Sequence, residues 1–438
     1  MGWPLKARNK KYNRGSLPQK AAFWLYNLCW GLAIPVLRFK PRSVEGFDQR
    51  ALTRKKSAVD LWIQAASTGE SYLTWSLLKY LKPVHSIKVL VTSNTIQGIE
   101  VLERAIKNIT PNNRGVSASV AYFPFDKPSI MEDAVRKIRP KIMVLIESEM
   151  WPGLLGTLKK YDCKTIIING RITNKSLRRY LIWPSFWHSI RPDKILAISN
   201  DDATRFARLF GDEIVETMNN IKFDRIGDPD TSALTDNLLI KIIHPCSSLI
   251  VLGSIRQPEE PEVRKIIIDL RRRQPETIIG LFPRHIHRIN YWKNALDRLR
   301  IPWTVRSEIK NYVPNGTVIL WDTFGELGMA YSLSKAAFVG GSLSPLGGQN
   351  FLEPLSSGVI PVIGPFWDNF AWVGREIIEQ GLVKEAVDWK SVSDALVNSL
   401  TKPSSRRKVQ EAVYKYVKKH QGGTAHACRV INEFLDYP

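Results

Sequence analysis

From residue 57 onward, short β-branched apolar runs alternate with stretches of helix length. The first series comprises Val59–Ala66, Lys88–Ser93, Ala121–Phe125, Lys141–Ile146, Thr165–Ile168 and Lys194–Ile198. A second comprises Ser248–Leu252, Glu276–Phe282, Thr317–Leu320, Ala336–Val339 and Val359–Ile363. Runs that are almost wholly apolar predict parallel strands buried on both faces, and the intervening helices predict a doubly wound α/β sheet. The rhythm pauses over residues 224–247, where Pro, Gly and Asp supply turn signals. Two α/β domains are therefore expected, residues 41–223 and 224–403. A helical tail, 404–438, follows and is interrupted at Gly422-Gly423. Ahead of both domains an uncharged stretch, Ala21–Leu37, lies between basic clusters, and residues 1–40 read as a basic, apolar anchor segment.

Composition narrows this picture. The chain has 438 residues, 44% of them hydrophobic, with 14 Trp. It is long enough for two sizeable cores and too apolar for disorder. Its four cysteines, Cys29, Cys163, Cys246 and Cys428, form no CxxC pair, which argues against a disulfide framework and a structural zinc site. The formal charge is +22, and the first 60 residues alone carry 13 Lys/Arg against three acids. A basic excess attracts nucleic acid, anionic lipid or phosphorylated substrates. Its concentration beside Trp24, Tyr26 and Trp30 favours an anchor at an anionic membrane surface over a buried helix. A cleaved signal peptide is disfavoured by the basic flank and the lack of a small-residue cleavage site. Either a spanning or an interfacial placement of residues 21–37 fits the length.

Ligands of open parallel sheets bind beyond the carboxyl ends of the strands, and the polar motifs of this chain fall there. Ala66-Ser67-Thr68-Gly69-Glu70 follows the first run. Glu70 is then either an acid compensating a helix dipole or a general base. Ile146-Glu147-Ser148-Glu149-Met150-Trp151-Pro152 follows the fourth, and strand geometry would turn Glu147 and Glu149 to one side as a carboxylate pair. In the second half Phe282-Pro283-Arg284-His285 offers an Arg that can grip a phosphate or pair with a structural carboxylate. The Gly-rich loop Gly340–Asn350, which is neither a Walker motif nor GxGxxG, can cradle a phosphate on backbone N–H groups, with Glu353 beyond it reaching a ribose. Asp228-Pro229-Asp230 reads as a turn, and His285 with His287 makes a poor metal pair, so no metal or other cofactor is expected.

Taken together, ASTGE (66–70), ESEMWP (147–152), NGRITNKSLRRY (169–180), NNIKFD (219–224), FPRH (282–285), WDTFGELG (321–328), AFVGGSLSPLGGQNFLEP (337–354) and GPFWDNF (364–370) resemble the bacterial Kdo transferases. That resemblance implies the GT-B architecture, two Rossmann-like domains facing across a cleft with an N-terminal membrane-anchor helix. It also implies an inverting glycosyltransferase that moves Kdo from CMP-Kdo to a lipid A precursor at the cytoplasmic face of the inner membrane. By motif, Glu70 matches the family's proton acceptor, and Glu147 and Lys222 match residues that stabilise the transition state. Pro283 and Arg284, then Gly325, Glu326 and Leu327, then Asn350, Phe351, Leu352 and Glu353, match the CMP-contacting segments.

This sequence departs from the family pattern at Gly153 and Gln349, where Asn and His are usual, at Gln64-Ala65, where a His usually precedes the small-residue turn, and at Gly253–Glu260. Two alternatives remain open at this level. One is a related GT-B transferase using another CMP-activated acid sugar or acceptor. The other is a non-catalytic basic protein holding anionic lipid or nucleic acid, although no nucleic-acid-binding motif is present and the charge clusters beside the apolar segment.

Overall fold

The computed structural model describes residues 17–39, 45–51, 58–109, 115–226 and 237–436. The chain divides into two compact units, residues 1–226 with 420–438 and residues 227–419. The helical tail is thus no unit of its own. Its helix Arg406–His420 lies almost wholly in the second unit, and Gly423–Asp436 returns to the first.

The first unit holds a seven-stranded sheet: β1 (Leu61–Ala65), β2 (Ile87–Ser93), β3 (Val116–Tyr122), β4 (Ile142–Ile146), β5 (Lys164–Gly170), β6 (Lys194–Ala197) and β7 (Val215–Thr217). Its order is β3-β2-β1-β4-β5-β6-β7, with every pairing parallel. The second unit is built the same way from β8 (Leu249–Ile255), β9 (Ile278–Pro283), β10 (Trp303–Val305), β11 (Val318–Leu320), β12 (Ala336–Val339), β13 (Pro361–Ile363) and β14 (Lys384–Glu385). These are ordered β10-β11-β9-β8-β12-β13-β14. Leu61, Ile63, Val144 and Ile168 point into the core on one side of the first sheet, and Trp62, Met143, Leu145 and Ile167 into the core on the other. That two-sided burial is why the strands read as unbroken apolar runs.

Sequence and structure differ at the sheet edges. The third strand is Val116–Tyr122, not Ala121–Phe125. As an edge strand it is covered on one face only, so it alternates, with Ser117 and the other exposed positions interrupting the apolar run. The short strands β7, β10 and β14, also at edges, have no apolar run to announce them.

The N-terminal helix Leu17–Leu37 is 21 residues long and apolar enough to cross a membrane by length and composition, and none of its residues is buried. It lies along the first unit. Phe23 meets Phe186 with ring centroids 5.4 Å apart, Trp30 meets Phe125 at 5.9 Å, the Tyr26 hydroxyl donates to Asp126 Oδ2 at 2.9 Å, and Ser129 N–H donates to Asn27 Oδ1 at 3.1 Å. Positions 23, 26, 27 and 30 form one stripe of a helix. The opposite stripe is apolar and exposed, with Trp24 at 68%, Leu28 at 47% and Leu32 at 72% of full exposure.

At the other end of the chain, Asp224 fastens the last helix to the first unit. Its carboxylate accepts from Gly422 N–H, Thr424 N–H and the Thr424 hydroxyl, each at 2.6 Å. Gly423 passes so close to Asn219 that a Cβ would lie 2.1 Å from its carbonyl oxygen. The helix then buries Ala427, Cys428, Val430 and Ile431 against Leu73 and Leu77. Loss of this cap in Asp224→Ala should cost about 1–2 kcal/mol of stability, read as a lower urea midpoint, with Asp224→Asn milder.

Candidate active site

Strand order reverses between β1 and β4, which are directly paired. The loops leaving such neighbours diverge and open a crevice at their carboxyl ends. Glu70 lies on the loop-to-helix junction after β1, and Glu147 immediately follows β4.

Glu70 sits in the first turn of helix Thr68–Tyr80, whose N-cap is Ser67. The Ser67 hydroxyl accepts from Glu70 N–H at 3.3 Å and donates to Glu70 Oε1 at 3.0 Å, while Ala66 N–H donates to Oε2 at 2.7 Å. The carboxylate therefore does serve its own helix terminus, as a capping acid would. It keeps further lone pairs for another donor, since a carboxylate offers about four acceptor positions. Burial, reinforced by the nearby Glu149 and Glu147, pushes its pKa up to about 7.

Glu147 does not continue strand geometry. Its φ of 60° is left-handed, uncommon for a residue with a Cβ and a conformation that tends to occur at functional sites. The expected face-sharing of Glu147 and Glu149 as successive strand positions is thereby corrected: β4 ends at Ile146 and the chain turns. Glu147 Oε1 instead receives Lys222 Nζ at 2.7 Å, with both side chains largely shielded. Lys222 is aimed by the short 3₁₀ helix Ile221–Arg225. Buried Ile221 and Phe223 anchor that helix, Ile221 N–H donates to Asn169 Oδ1 and Lys222 N–H to Asn220 Oδ1, each at 2.9 Å. Glu70, Glu147 and Lys222 thus belong to one unit and one strand-end region, with Glu149 beside them. A carboxylate half-ionised near neutrality can take a proton from a hydroxyl, and an ammonium held by a neighbouring acid can stabilise developing negative charge.

The second unit presents the other sequence-predicted residues. Arg284 follows β9 with its side chain exposed and in no ion pair among the described residues, and its backbone N–H donates to Ile255 O at 2.7 Å. Glu353 accepts from Asn350 Nδ2 at 2.9 Å; burial raises its pKa, and the charge of Arg284 opposes that rise. Asn350 Oδ1 accepts Leu352 N–H at 3.2 Å, so this Asn orders the start of helix Leu352–Ser356. Phe351 and Leu352 are core residues, Phe351 against Phe370 and Trp367, so their side chains serve packing. Glu326 is also committed: its oxygens take both arms of the Arg306 guanidinium at 2.8 Å, the Trp321 indole at 2.7 Å and the Thr323 hydroxyl at 2.9 Å. Gly325, with φ of 85° and open space where a Cβ would be, and Leu327 flank it. Pro283 closes β9. Asp228-Pro229-Asp230 lies outside the described residues.

One expectation is narrowed here. The Gly340–Leu343 donors do not await a phosphate, because the carboxylate of Glu259 occupies them. Glu259 is fully buried, and its Oε1 accepts Gly341 N–H at 2.5 Å and Arg256 N–H at 2.9 Å while Oε2 accepts Leu343 N–H at 3.4 Å. Gly340 N–H goes to Gly253 O, Gly348 N–H to Gly341 O and Gln349 N–H to Gly340 O. Glu259 and the support around Glu149 escaped sequence reasoning. A signal existed for the latter: Gln64 and Thr92 are polar residues inside apolar runs, and they are register partners in β1 and β2.

Residues 44–225 match the family model of the 3-deoxy-D-manno-octulosonic-acid transferases. The chain is 26% identical over 417 residues to the 3-deoxy-D-manno-octulosonic acid transferase of Haemophilus influenzae, a match covering 92% of this chain and 94% of that one. It is 28% identical over 368 residues, 81% of its length, to a bifunctional glycosyltransferase/methyltransferase of Fusobacterium nucleatum, of which the match covers 56%. Among solved structures, a glycosyltransferase from Rickettsia africae superposes with a TM-score of 0.58 at 12% identity, covering 87% of this chain and all of that one. This likeness shows the fold, the GT-B class of paired α/β domains.

The raised proton affinity of Glu70 has a thermodynamic consequence. Between its ordinary value of 4.5 and about 7, the folded chain binds a proton that the unfolded chain has released. Stability should therefore fall as pH rises through that window and level off above it. Glu70→Gln removes the effect, so urea denaturation at pH 8 should find the variant more stable than the parent by about 1–3 kcal/mol, and no more stable at pH 4.

Proposed function

We propose that this chain, which belongs with the bacterial Kdo transferases, is an inverting transferase that moves Kdo from CMP-Kdo to a lipid A precursor at the inner face of the cytoplasmic membrane. The observation that carries the reading is the Glu70 carboxylate, tuned to about 7 beside the Glu147–Lys222 pair at the reversal of strand order.

In this reading Glu70 accepts the proton of the acceptor hydroxyl as its oxygen forms the new bond to the anomeric carbon. The anomeric carbon's bond to the CMP phosphate oxygen breaks, and CMP departs with the electron pair. Lys222, oriented by Glu147, offsets the negative charge that develops on the phosphate. Asn350 and Glu353, with the backbone around Pro283, Gly325, Glu326 and Leu327, receive the nucleotide. Phe351 and Leu352 hold that segment in place through the core.

The N-terminal helix seats the enzyme on its lipid substrate's membrane. Its inner stripe is bound to the first unit and its outer stripe is apolar, an arrangement suited to lying in the interface. A crossing helix would have to forgo the hydrogen bonds and ring contacts of Phe23, Tyr26, Asn27 and Trp30. The surrounding Lys and Arg supply attraction to anionic headgroups.

Incubation with CMP-Kdo and a lipid A precursor should release CMP and yield a lipid heavier by whole Kdo units, seen by mass spectrometry. CMP-Kdo left intact would end the proposal, and transfer to a different acceptor alone would redirect it. Glu70→Gln should still bind CMP but lose turnover by at least roughly 100-fold, the scale of a lost general base. Replacing Trp24, Leu28 and Leu32 together by Ser should abolish co-sedimentation with anionic phospholipid vesicles while leaving the circular dichroism spectrum unchanged.

A further inference from the structure

We infer that Glu149 is a positioning residue for this centre: it fixes an uncompensated negative charge beside Glu70 and thereby readies Glu70 to accept a proton. The inference rests on the reading of Glu70 as the base and concerns a residue to which the motif comparison gives no role.

The support for Glu149 begins two strands away. The Trp62 indole N–H donates to Thr92 Oγ1 at 2.9 Å, and the Thr92 hydroxyl passes its own proton to Gln64 Oε1 at 2.6 Å. Trp62, Thr92 and Gln64 are all fully buried. With its oxygen accepting from Thr92, the Gln64 amide N–H₂ group is turned to Asn94 Oδ1 at 3.4 Å and toward Glu149, whose proton affinity it lowers. From the other side the Trp151 indole N–H donates to Glu149 Oε2 at 2.5 Å. Trp151 is held in turn against Phe123, and Phe123 against Trp62. The chain of donors closes on itself through packed aromatic rings.

Every one of these donors is neutral. They hold Glu149 in place without cancelling its charge, whereas the charge of Glu147 is met by Lys222 at 2.7 Å. After burial, Glu149 is the larger of the two carboxylate influences on Glu70, and burial raises the proton affinity of Glu149 itself. The Tyr180 hydroxyl lies within reach of the Glu149 charge, and several charges on the elements packed against helix Thr68–Tyr80 are directed elsewhere. Arg225 stacks over Tyr72, 4.5 Å from the ring centre, His426 pairs with Glu216 at 3.1 Å, and Arg104 turns to its own helix at Glu100 O. A like charge at short range disfavours ionisation. An alcohol's proton is better accepted by a carboxylate raised toward neutrality than by an ordinary one, because basicity and fraction ionised are then both substantial.

The full-length chain, labelled with ¹³C at glutamate side-chain carboxyls, allows Glu70 to be titrated directly by NMR, with Glu70→Gln assigning its resonance. Glu149→Gln removes the charge yet keeps an oxygen for Gln64 and Trp151. It should lower the Glu70 midpoint by about one pH unit or more, and the acid limb of kcat/KM should move down by the same amount. Glu149→Asp, which keeps the charge, should leave Glu70 titrating near neutrality. An unmoved Glu70 midpoint in folded Glu149→Gln would overturn the inference. If the resonance moves and the rate profile does not, the coupling stands and Glu70 is not the rate-controlling base.

Discussion

A parallel sheet buried on both faces has no polar surface of its own, so chemistry is confined to where its strands end. Both units of this chain obey that constraint. In the first, the crevice between the ends of β1 and β4 gathers Glu70, Glu147, Glu149 and Lys222. In the second, the equivalent reversal between β8 and β12 brings Glu259 against the Gly340–Leu343 loop. The same topology leads to different electrostatic outcomes: an acidic cluster with one lysine in one unit, and a carboxylate held by backbone N–H donors in the other.

Much of this was legible in the sequence. Central strands announce themselves because burial on both faces demands unbroken apolar runs, and the motifs beyond them follow from strand polarity. Edge strands were harder to read, since β3 alternates and β7, β10 and β14 are too short to carry a pattern. Among the site residues, sequence could pair Glu147 with Glu149 only by assuming that the strand continued. The left-handed turn at Glu147 is a tertiary decision, set by the hydrogen bond from its N–H to Ile168 O at 2.9 Å and by Lys222 arriving from 75 residues away. Contacts of that range leave no local trace. Glu326 and Phe351 show the converse limit: a motif identifies the segment that matters without saying whether the side chain or its backbone does the work.

The charge excess takes on a structure when set beside the N-terminal helix. Docking through Phe23, Tyr26, Asn27 and Trp30 spends one stripe of an apolar helix on protein and leaves the other outward. Asp126 is central to this seat, since it accepts from Tyr26 while also taking the Gly153 and Leu154 N–H groups at 2.9 and 2.7 Å. A side chain at position 153 would place its Cβ 2.3 Å from Asp126 O. The glycine there is thus required by the loop that receives the helix.

Glu259 has a consequence for electrical economy. Loops rich in glycine at a strand-to-helix junction ordinarily lend their dipoles to an incoming anion. Here the anion is built in, covalently part of the chain and sealed from water. The Gly341 and Leu343 donors of the loop are therefore committed before any ligand arrives. Gly341 and Leu343 are thereby spoken for, while Arg284 stands exposed after β9 with its side chain in no ion pair among the described residues.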